Sequence, residues 1–279
     1  MASGEGNAWN TKGLKISTMG AYLGAIRAEV QKANPAADLR MVFESDLVNR
    51  IWRGANRILG SAKQKSRVAK LEDLRKLVRG LGEDEKEACI RLLILLAFWG
   101  ALRMGNVAVA DGAKEDDVVS LKDCTLEGSR LIVKLRHTKT IQCRDRLHVV
   151  GLAKVDHEPE LCPVRAFEKL TALRSGLTAV RKLGPIARYG PYKDDVWTYT
   201  KVVRWMQGRV DPVEETELEK GHLTGHSFRR GFMVLGLSLN VDLNSLRMHG
   251  DWKQLNTLVD YTRGAAVLVD VVRRLEDLR

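Results

Sequence analysis

Apolar residues recur at helical spacing in two segments near the N-terminus of this chain. In the first segment the recurring positions are Met19, Tyr22, Leu23, Ile26 and Val30. In the second they are Phe43, Leu47, Ile51, Ala55 and Ile58. Ser17 and Thr18 can cap the first helix and Asn34-Pro35 stops it, whereas Gly60 ends the second. The pattern therefore predicts two amphipathic helices, which form a small helical domain or part of one.

The most apolar run of the chain extends from Ile90 to Trp99 and is interrupted only by Arg91. It has about half of the ~20 residues that a bilayer crossing needs, so it predicts a buried helix. The run leads directly into Gly100-Ala101-Leu102-Arg103. An arginine just after so apolar a segment is either an edge residue or a cation held on a rigid support, ready to bind an anion.

Three short runs with β propensity follow the apolar helix, and a turn at Glu127-Gly128 separates the first two. They cover residues 118–121, 130–135 and 146–150. Lys139 falls between the second and third runs, near a hairpin tip where its stem can reach a ligand. Helical patterns resume at residues 163–174 and near 199–210. The fold class is therefore predicted to be mainly α with a small antiparallel β-sheet.

A strongly basic stretch, residues 61–82, lies between the helical pair and the apolar run. Its cations are Lys63, Lys65, Arg67, Lys70, Arg75, Lys76 and Arg79, and only Glu72 and Asp73 oppose them. Such a run is usually a solvated linker and helix face. A linker that crosses a DNA backbone would have the same composition, because phosphate contacts need only mobile cations. We therefore predict a domain boundary here, with an N-terminal helical domain at 1–66 and a second domain at 67–279.

The charge of the whole chain also favours an acidic partner. Its 279 residues carry a formal net charge of +11, with an isoelectric point near 9.6. Nucleic acid is the commonest partner of so basic a protein. Charge alone does not exclude a protein that is basic and soluble without binding nucleic acid.

The sequence offers little support for metal, disulfide or export chemistry. Its four cysteines lie far apart without a C-x-x-C pair, which fits a reducing compartment and predicts neither disulfides nor a zinc knuckle. They are Cys89, Cys124, Cys143 and Cys162. His222 and His226 have the i, i+4 spacing of a metal pair, but no acidic or cysteine ligand stands beside them. We expect no metal, no cofactor and, because the N-terminus lacks a signal-peptide core, no secretion.

The segment from His226 to Tyr261 carries the residue types of a phosphoryl-transfer site. His226 and Arg229 are three residues apart, so they can share one side of a helix. The planar guanidinium of Arg229 fits phosphate oxygens, and His226 can move a proton near neutral pH. Tyr261, nine residues after Trp252, is a hydroxyl that can form a covalent intermediate. Each residue alone occurs often by chance, whereas the set together suits phosphoryl transfer to a tyrosine.

With these residues in view, the chain resembles the tyrosine recombinase (phage integrase) family, and it is most similar to the Cre-type members. The resemblance is carried, in the family's order over roughly residues 70–265, by the motifs GALRMGN, HTKT, TGHSFRRG and HGDWKQLNTLVDYTR. It implies a recombinase catalytic domain at 67–279, ending in a helix at 264–279, and a shortened core-binding domain at 1–66. The implied catalytic set is Arg103, Lys139, His226, Arg229, Trp252 and Tyr261.

The resemblance also implies a role for each of these residues. Arg103 and Arg229 would clamp the scissile phosphate, and Lys139 would protonate the departing 5′ oxygen. His226 would contact the phosphate and transfer a proton. Four cations of the basic stretch and one beside Arg229 are expected to contact DNA: Lys63, Lys65, Arg67, Lys70 and Arg230.

Trp252 stands where Cre-type members have tryptophan and most others have histidine, and it would position the phosphate because an indole donates one hydrogen bond and transfers no proton. Tyr261 would be the nucleophile. His249, three residues before Trp252, is interpreted as a helix-end residue.

The implied function is site-specific DNA recombination through a 3′-phosphotyrosine, in DNA integration or excision of the kind mobile elements use. The partners would be double-stranded DNA with paired sites and further copies of the chain, as a dimer on each site and a tetramer in synapsis. Two alternatives stay open: a type IB topoisomerase-like enzyme, and a domesticated DNA-binding module without catalysis. The expected location is the cytoplasm or nucleoid in a prokaryotic or viral setting and the nucleus in a eukaryotic one.

Overall fold

The computed structural model of the protein describes residues 16–59, 66–110, 117–136, 146–210 and 222–252. The contacts divide the chain into two compact units, residues 1–64 and residues 65–279. Lys63, Lys65, Lys139 and Tyr261 lie outside the described residues. The helices are α1 (Ile16–Ala33), α2 (Arg40–Phe43), α3 (Asp46–Leu59), α4 (Leu71–Val78), α5 (Glu85–Trp99), α6 (Met104–Val107), α7 (Pro163–Leu173), α8 (Ala179–Leu183), α9 (Tyr199–Arg209), α10 (Ser227–Ser238) and α11 (Leu243–His249).

The first unit contains the two predicted amphipathic helices, the second of which is divided into α2 and α3. Ser45 makes the division, because its hydroxyl donates to the carbonyl of Val42 at 2.8 Å and accepts from the amide of Val48 at 3.3 Å. That pattern ends one helix and caps the next. The apolar faces of α1 and α3 line a groove of about 420 Å³.

The second unit is built around α5. Every residue from Leu92 to Phe98 is fully buried, and α5 packs against α7 and α10. Asp84 caps the helix by accepting from the amide of Glu87, and the indole of Trp99 donates to the carbonyl of Leu161 at 2.8 Å. A fully buried leucine contributes about 1.5–3 kcal/mol, so this run stabilises the unit substantially. The prediction of a buried helix is confirmed.

Residues 67–78 are packed into the second unit and do not form a solvated linker. Arg67 is 2% exposed and binds both carboxylate oxygens of Asp73, at 3.0 and 2.9 Å. Asp73 also accepts from the amide of Lys70, which opens α4, and Leu74 and Leu77 of that helix are fully buried. Arg67 is therefore a structural residue rather than a DNA contact, whereas Lys70 stays exposed.

The beginning of the second unit is joined to a segment far along the chain. The amide of Arg67 donates to the carbonyl of His222 at 3.4 Å, and the amide of Ala69 donates to that of Ser227 at 3.1 Å. Arg230 is 8% exposed and its guanidinium donates to the carbonyl of Ser66. The expectation that Arg230 contacts DNA is thus replaced by a role in closing the unit.

Among the described residues, the sheet has three antiparallel strands in the order β1 (Cys124–Glu127), β2 (Arg130–Leu135) and β3 (His148–Ala153). The prediction of a strand at 118–121 is wrong, because Ser120 and Asp123 form a capping box that turns Leu121–Asp123 into a 3-10 helix. The first strand begins only after that turn. Within β2 and β3, Leu131, Val133, Val150 and Leu152 face the core.

Three further observations concern the described part of the chain. No described helix combines the length and apolarity that crossing a membrane requires. Cys89, Cys124 and Cys162 are buried free thiols, and burial raises the pKa of Cys89 and of Cys124 to about 12. No group of His, Cys, Asp and Glu residues suited to a metal ion occurs among the described positions.

Replacing Gly231 with alanine is expected to destabilise the second unit. The added methyl group would overlap the carbonyl oxygen of Ala69, which belongs to the backbone and cannot rotate away. Overpacking of this kind costs about 1–3 kcal/mol, so Gly231→Ala should lower the free energy of unfolding measured by urea titration. Gly208→Ala in α9 is the matched control, since its methyl group would meet open space and should stabilise the helix slightly. Equal stability of the two variants would contradict this packing.

Candidate active site

Arg103 is presented by the tight turn that ends α5. Gly100 closes the helix, and Ala101 adopts a left-handed conformation with φ of 46° although it is fully buried. The amide of Leu102 then returns to the carbonyl of Ala97 at 3.1 Å, and the carbonyl of Arg103 begins α6. Arg103 is partly buried, and its guanidinium makes no hydrogen bond or ion pair with any residue that the structure describes. Its surroundings agree with the second of the two interpretations of this position, a cation on a rigid support.

Arg229, unlike Arg103, is almost fully buried. It lies on α10 and is 2% exposed, with one terminal nitrogen donating to the carbonyl of Ala101 and the other to the carbonyl of Gly250. Its guanidinium carbon lies 3.8 Å from the ring centroid of Trp252, a cation–π contact. One side chain therefore joins α10 to the turn that carries Arg103 and to the turn that carries Trp252.

Trp252 packs against Arg229, and together with the turn that carries Arg103 these residues form one group. Its side chain is 5% exposed and packs in a small cluster with Ala101, Met233 and Leu246. Its amide donates to the carbonyl of Arg247 at 3.0 Å, which folds the chain back after α11. Gly250 is required here, because a methyl group at that position would overlap the indole ring.

His226 is exposed and is the residue that precedes the first turn of α10, one turn from Arg229. The hydroxyl of Thr224 accepts from the amide of His226 at 3.2 Å, and the hydroxyl of Ser227 accepts from the amide of Thr224 at 2.8 Å. These bonds fix the backbone at the start of the helix. His226 is thus an exposed residue with a fixed backbone at the start of the helix that carries Arg229.

Two histidines that the prediction did not include among the catalytic residues lie behind the group. His249 donates from Nε2 to the carbonyl of Trp99 at 2.8 Å and stacks on Phe232, with ring centroids 4.7 Å apart. His148 donates from Nε2 to the carbonyl of His249 at 3.1 Å. Carbonyl oxygens only accept, so both rings carry their proton on Nε2. His249 ends α11, which agrees with its interpretation as a helix-end residue.

The pKa of both histidines is lowered, which favours their neutral forms. Burial lowers the pKa of His249 below its ordinary value, and the charges of His148 and Arg229 act in the same direction. Burial also lowers the pKa of His148. Neutral rings in these positions leave the positive charge of the group to Arg229 and Arg103.

Arg146 and Asp251 form an ion pair that no sequence pattern indicated. One terminal nitrogen of Arg146 lies 2.8 and 3.0 Å from the two carboxylate oxygens of Asp251, the neighbour of Trp252. Asp251 has a φ of 52°, a conformation that aspartate, asparagine and glycine tolerate best. A Gly-Asp pair after a helix was the only local signal available. The partner, 105 residues away, could not be predicted.

Of the six predicted catalytic residues, four lie in described segments. Arg229 and Trp252 are in direct contact, and Arg229 binds the backbone two residues before Arg103. His226 lies at the start of the helix that carries Arg229. Lys139 and Tyr261 fall outside the described residues, so their roles stay predictions.

No protein-family model matches the chain, and no curated protein matches its sequence. Among solved structures, it is similar to the XerH site-specific recombinase bound to a palindromic difH substrate in a post-cleavage complex. That likeness has a TM-score of 0.51 at 15% identity and covers 96% of this chain and 74% of the other. The chain has the fold of that recombinase. The expected architecture, mainly helical with a small antiparallel sheet, is confirmed.

Two further solved structures resemble the chain more loosely. The XerA recombinase has a TM-score of 0.48 at 13% identity, covering 93% of this chain and 82% of the other. A lambda integrase dimer bound to a COC′ core site has a TM-score of 0.44 at 13% identity, covering 90% and 80%.

The two arginines should respond differently to neutralisation. Arg229→Gln removes two charge-assisted hydrogen bonds to buried carbonyls, each worth about 1.5–3 kcal/mol, so a loss of roughly 3 kcal/mol or more is expected. Arg103→Gln removes a cation without such partners and should change stability by less than about 0.5 kcal/mol. Chemical denaturation of the two variants beside the wild type measures the contrast. Equal losses would show that Arg103 is also structural.

Stability should fall in mildly acidic solution because of His148 and His249. Their pKa values are lowered in the folded state, so the unfolded chain binds more protons and stability declines as pH drops below about 6.5. The melting temperature should therefore decrease between pH 7.5 and pH 5.5, and His249→Gln should reduce that decrease. His157→Gln is the control because His157 is largely exposed. A pH dependence that His249→Gln leaves unchanged would contradict the assignment.

Proposed function

We propose that this protein is a site-specific DNA recombinase that cleaves and rejoins DNA strands through a 3′-phosphotyrosine on Tyr261. The observation that carries the proposal is the convergence made by Arg229. Arg229 contacts Trp252 and holds the turn that presents Arg103. In the sequence, Arg229 lies 126 positions after Arg103 (229−103) and Trp252 lies 149 positions after it (252−103). Their order matches the motifs by which the chain resembles tyrosine recombinases.

The chemistry begins with attack of the Tyr261 oxygen on the scissile phosphorus. The bond from phosphorus to the 5′ oxygen breaks, and Lys139 gives its proton to that oxygen. A 3′-phosphotyrosine and a free 5′ hydroxyl result. The 5′ hydroxyl of the partner strand then gives its proton to Lys139 and attacks the same phosphorus, and Tyr261 leaves as the phenolate.

The described residues would stabilise the charge that collects on the phosphate in this step. Arg103 is the accessible cation, and Arg229 adds a fixed positive charge beside it. Preorganised cations of this type stabilise the transition state more than the ground state. His226, at the open side of α10, would contact the phosphate and transfer a proton. The same cations favour the phenolate of Tyr261, whose ordinary pKa is about 10.

The phosphotyrosine conserves the energy of the broken phosphodiester, so neither ATP nor a metal ion is needed for rejoining. The substrate would be double-stranded DNA with paired sites, bound by a dimer at each site and by a tetramer in synapsis. The formal charge of +11 supports binding to the DNA backbone.

Tyr261→Phe should abolish covalent attachment to DNA. In the experiment, duplexes from the DNA that flanks the coding sequence carry a nick beside the cleavage point, so that the short cleaved strand diffuses away and the adduct accumulates. Wild type should form the adduct in EDTA without ATP, and Tyr261→Phe should form none. Tyr192→Phe is the matched control, since Tyr192 is exposed and does not belong to the predicted catalytic set.

The outcomes separate the alternatives. Binding without an adduct on every duplex tested would favour a DNA-binding module and refute the proposal. Relaxation of supercoiled DNA without exchange between two sites would favour a topoisomerase. Arg103→Gln should lower the rate of adduct formation by about 100- to 1000-fold, as loss of one transition-state donor does in other enzymes.

A further inference from the structure

The turn that carries Trp252 is held from two sides by residues of different elements. From α10, Arg229 donates to the carbonyl of Gly250. From the β3 side, His148 donates to the carbonyl of His249, and Arg146 binds the carboxylate of Asp251. Three consecutive residues of the turn are therefore each bound by a separate partner.

The ion pair between Arg146 and Asp251 joins an exposed side chain to a largely buried one. The side chain of Asp251 is only 15% exposed, and both of its carboxylate oxygens face one nitrogen of Arg146. Asp251 also holds the left-handed conformation that turns the chain into Trp252. Asp251 therefore provides both the charged side chain of the ion pair and the backbone turn that precedes Trp252.

We propose that Arg146 and Asp251 are positioning residues that set the orientation of the Trp252 indole on the guanidinium of Arg229. This inference rests on the proposed function, because it assigns the pair a role at the same site. The mechanism is indirect, since neither side chain of the pair needs to touch DNA. The ion pair with Arg146 fixes the Asp251 backbone. The position of that backbone sets the orientation of the Trp252 indole.

The energetics separate positioning from stabilisation. Arg146 is 42% exposed, and an ion pair with one such partner contributes about 0–1 kcal/mol to stability. Loss of the pair should therefore leave the melting temperature almost unchanged. Misplacement of an active-site group by about 1 Å can nonetheless lower a rate about 100-fold. A rate effect without a stability effect is the signature expected of this pair.

The first arm of the test does not depend on catalysis. The protein is labelled with 5-fluorotryptophan, and the resonance of Trp252 is assigned by its absence in Trp252→Phe. Asp251→Asn keeps a residue that tolerates the left-handed conformation and removes the charge, so it should shift or broaden this resonance. Arg146→Gln should do the same. A Trp252 resonance unchanged in both variants overturns the proposal.

The second arm measures cleavage at saturating DNA and the affinity for DNA. Arg146→Gln and Asp251→Asn should each lower the cleavage rate about 10- to 100-fold, and the double variant should be no slower than either single variant. Lys154→Gln is the matched control, because it removes a cation beside the other end of β3 from an exposed pair with Asp156. It should leave the rate unchanged.

The two arms distinguish the possible failures. If wild type cleaves no DNA, the proposed function fails, and the fluorine resonance still decides whether the pair positions Trp252. If the single variants slow cleavage additively, or if Lys154→Gln slows it equally, general charge explains the effect and positioning is refuted. Arg146→Lys should restore most of the rate, because it keeps the charge.

Discussion

The site depends on the contacts that the buried guanidinium of Arg229 makes. Removing a cation from water costs several kcal/mol, and that cost is offset only by good partners. Here the partners are carbonyls that follow the C-terminal ends of α5 and α11, where helix dipoles concentrate negative charge, together with the face of an indole. Because these partners come from separate segments, satisfying one charge also assembles the group.

This arrangement assigns the two arginines to different tasks. Arg229 donates to carbonyls of the protein and is almost fully buried, whereas Arg103 is only partly buried and has no partner among the described residues. The apolar helix α5 explains how such a cation is tolerated, since it anchors the turn before Arg103 in the core. Because α5 is fully packed, it fixes the position of the Arg103 charge. Water hydrates that charge until an anion binds.

The sequence predicts this molecule well where the signal is local. The period of α1, the apolar run of α5 and the extent of β2 could all be predicted, because each depends on neighbouring residues. The errors arose where a few polar residues changed the local structure, as when Ser120 and Asp123 turned an apolar run into a 3-10 helix. The expectation that Arg67 contacts DNA was wrong for the same reason, because its burial depends on a bidentate pair with Asp73. Contacts such as Arg146 with Asp251 depend on tertiary structure alone.

The joining of residues 66–69 to residues 222–230 has a consequence for synthesis of the protein. The amide of Ala69 pairs with a carbonyl 158 residues later (227−69), and Arg230 reaches back to Ser66. Contacts of such long sequence separation form late in folding, because the chain between them must first be ordered. On the ribosome, the beginning of this unit must wait until residue 230 has left the exit tunnel. A nascent chain shorter than that therefore carries the apolar helix α5 without the helix that completes its packing.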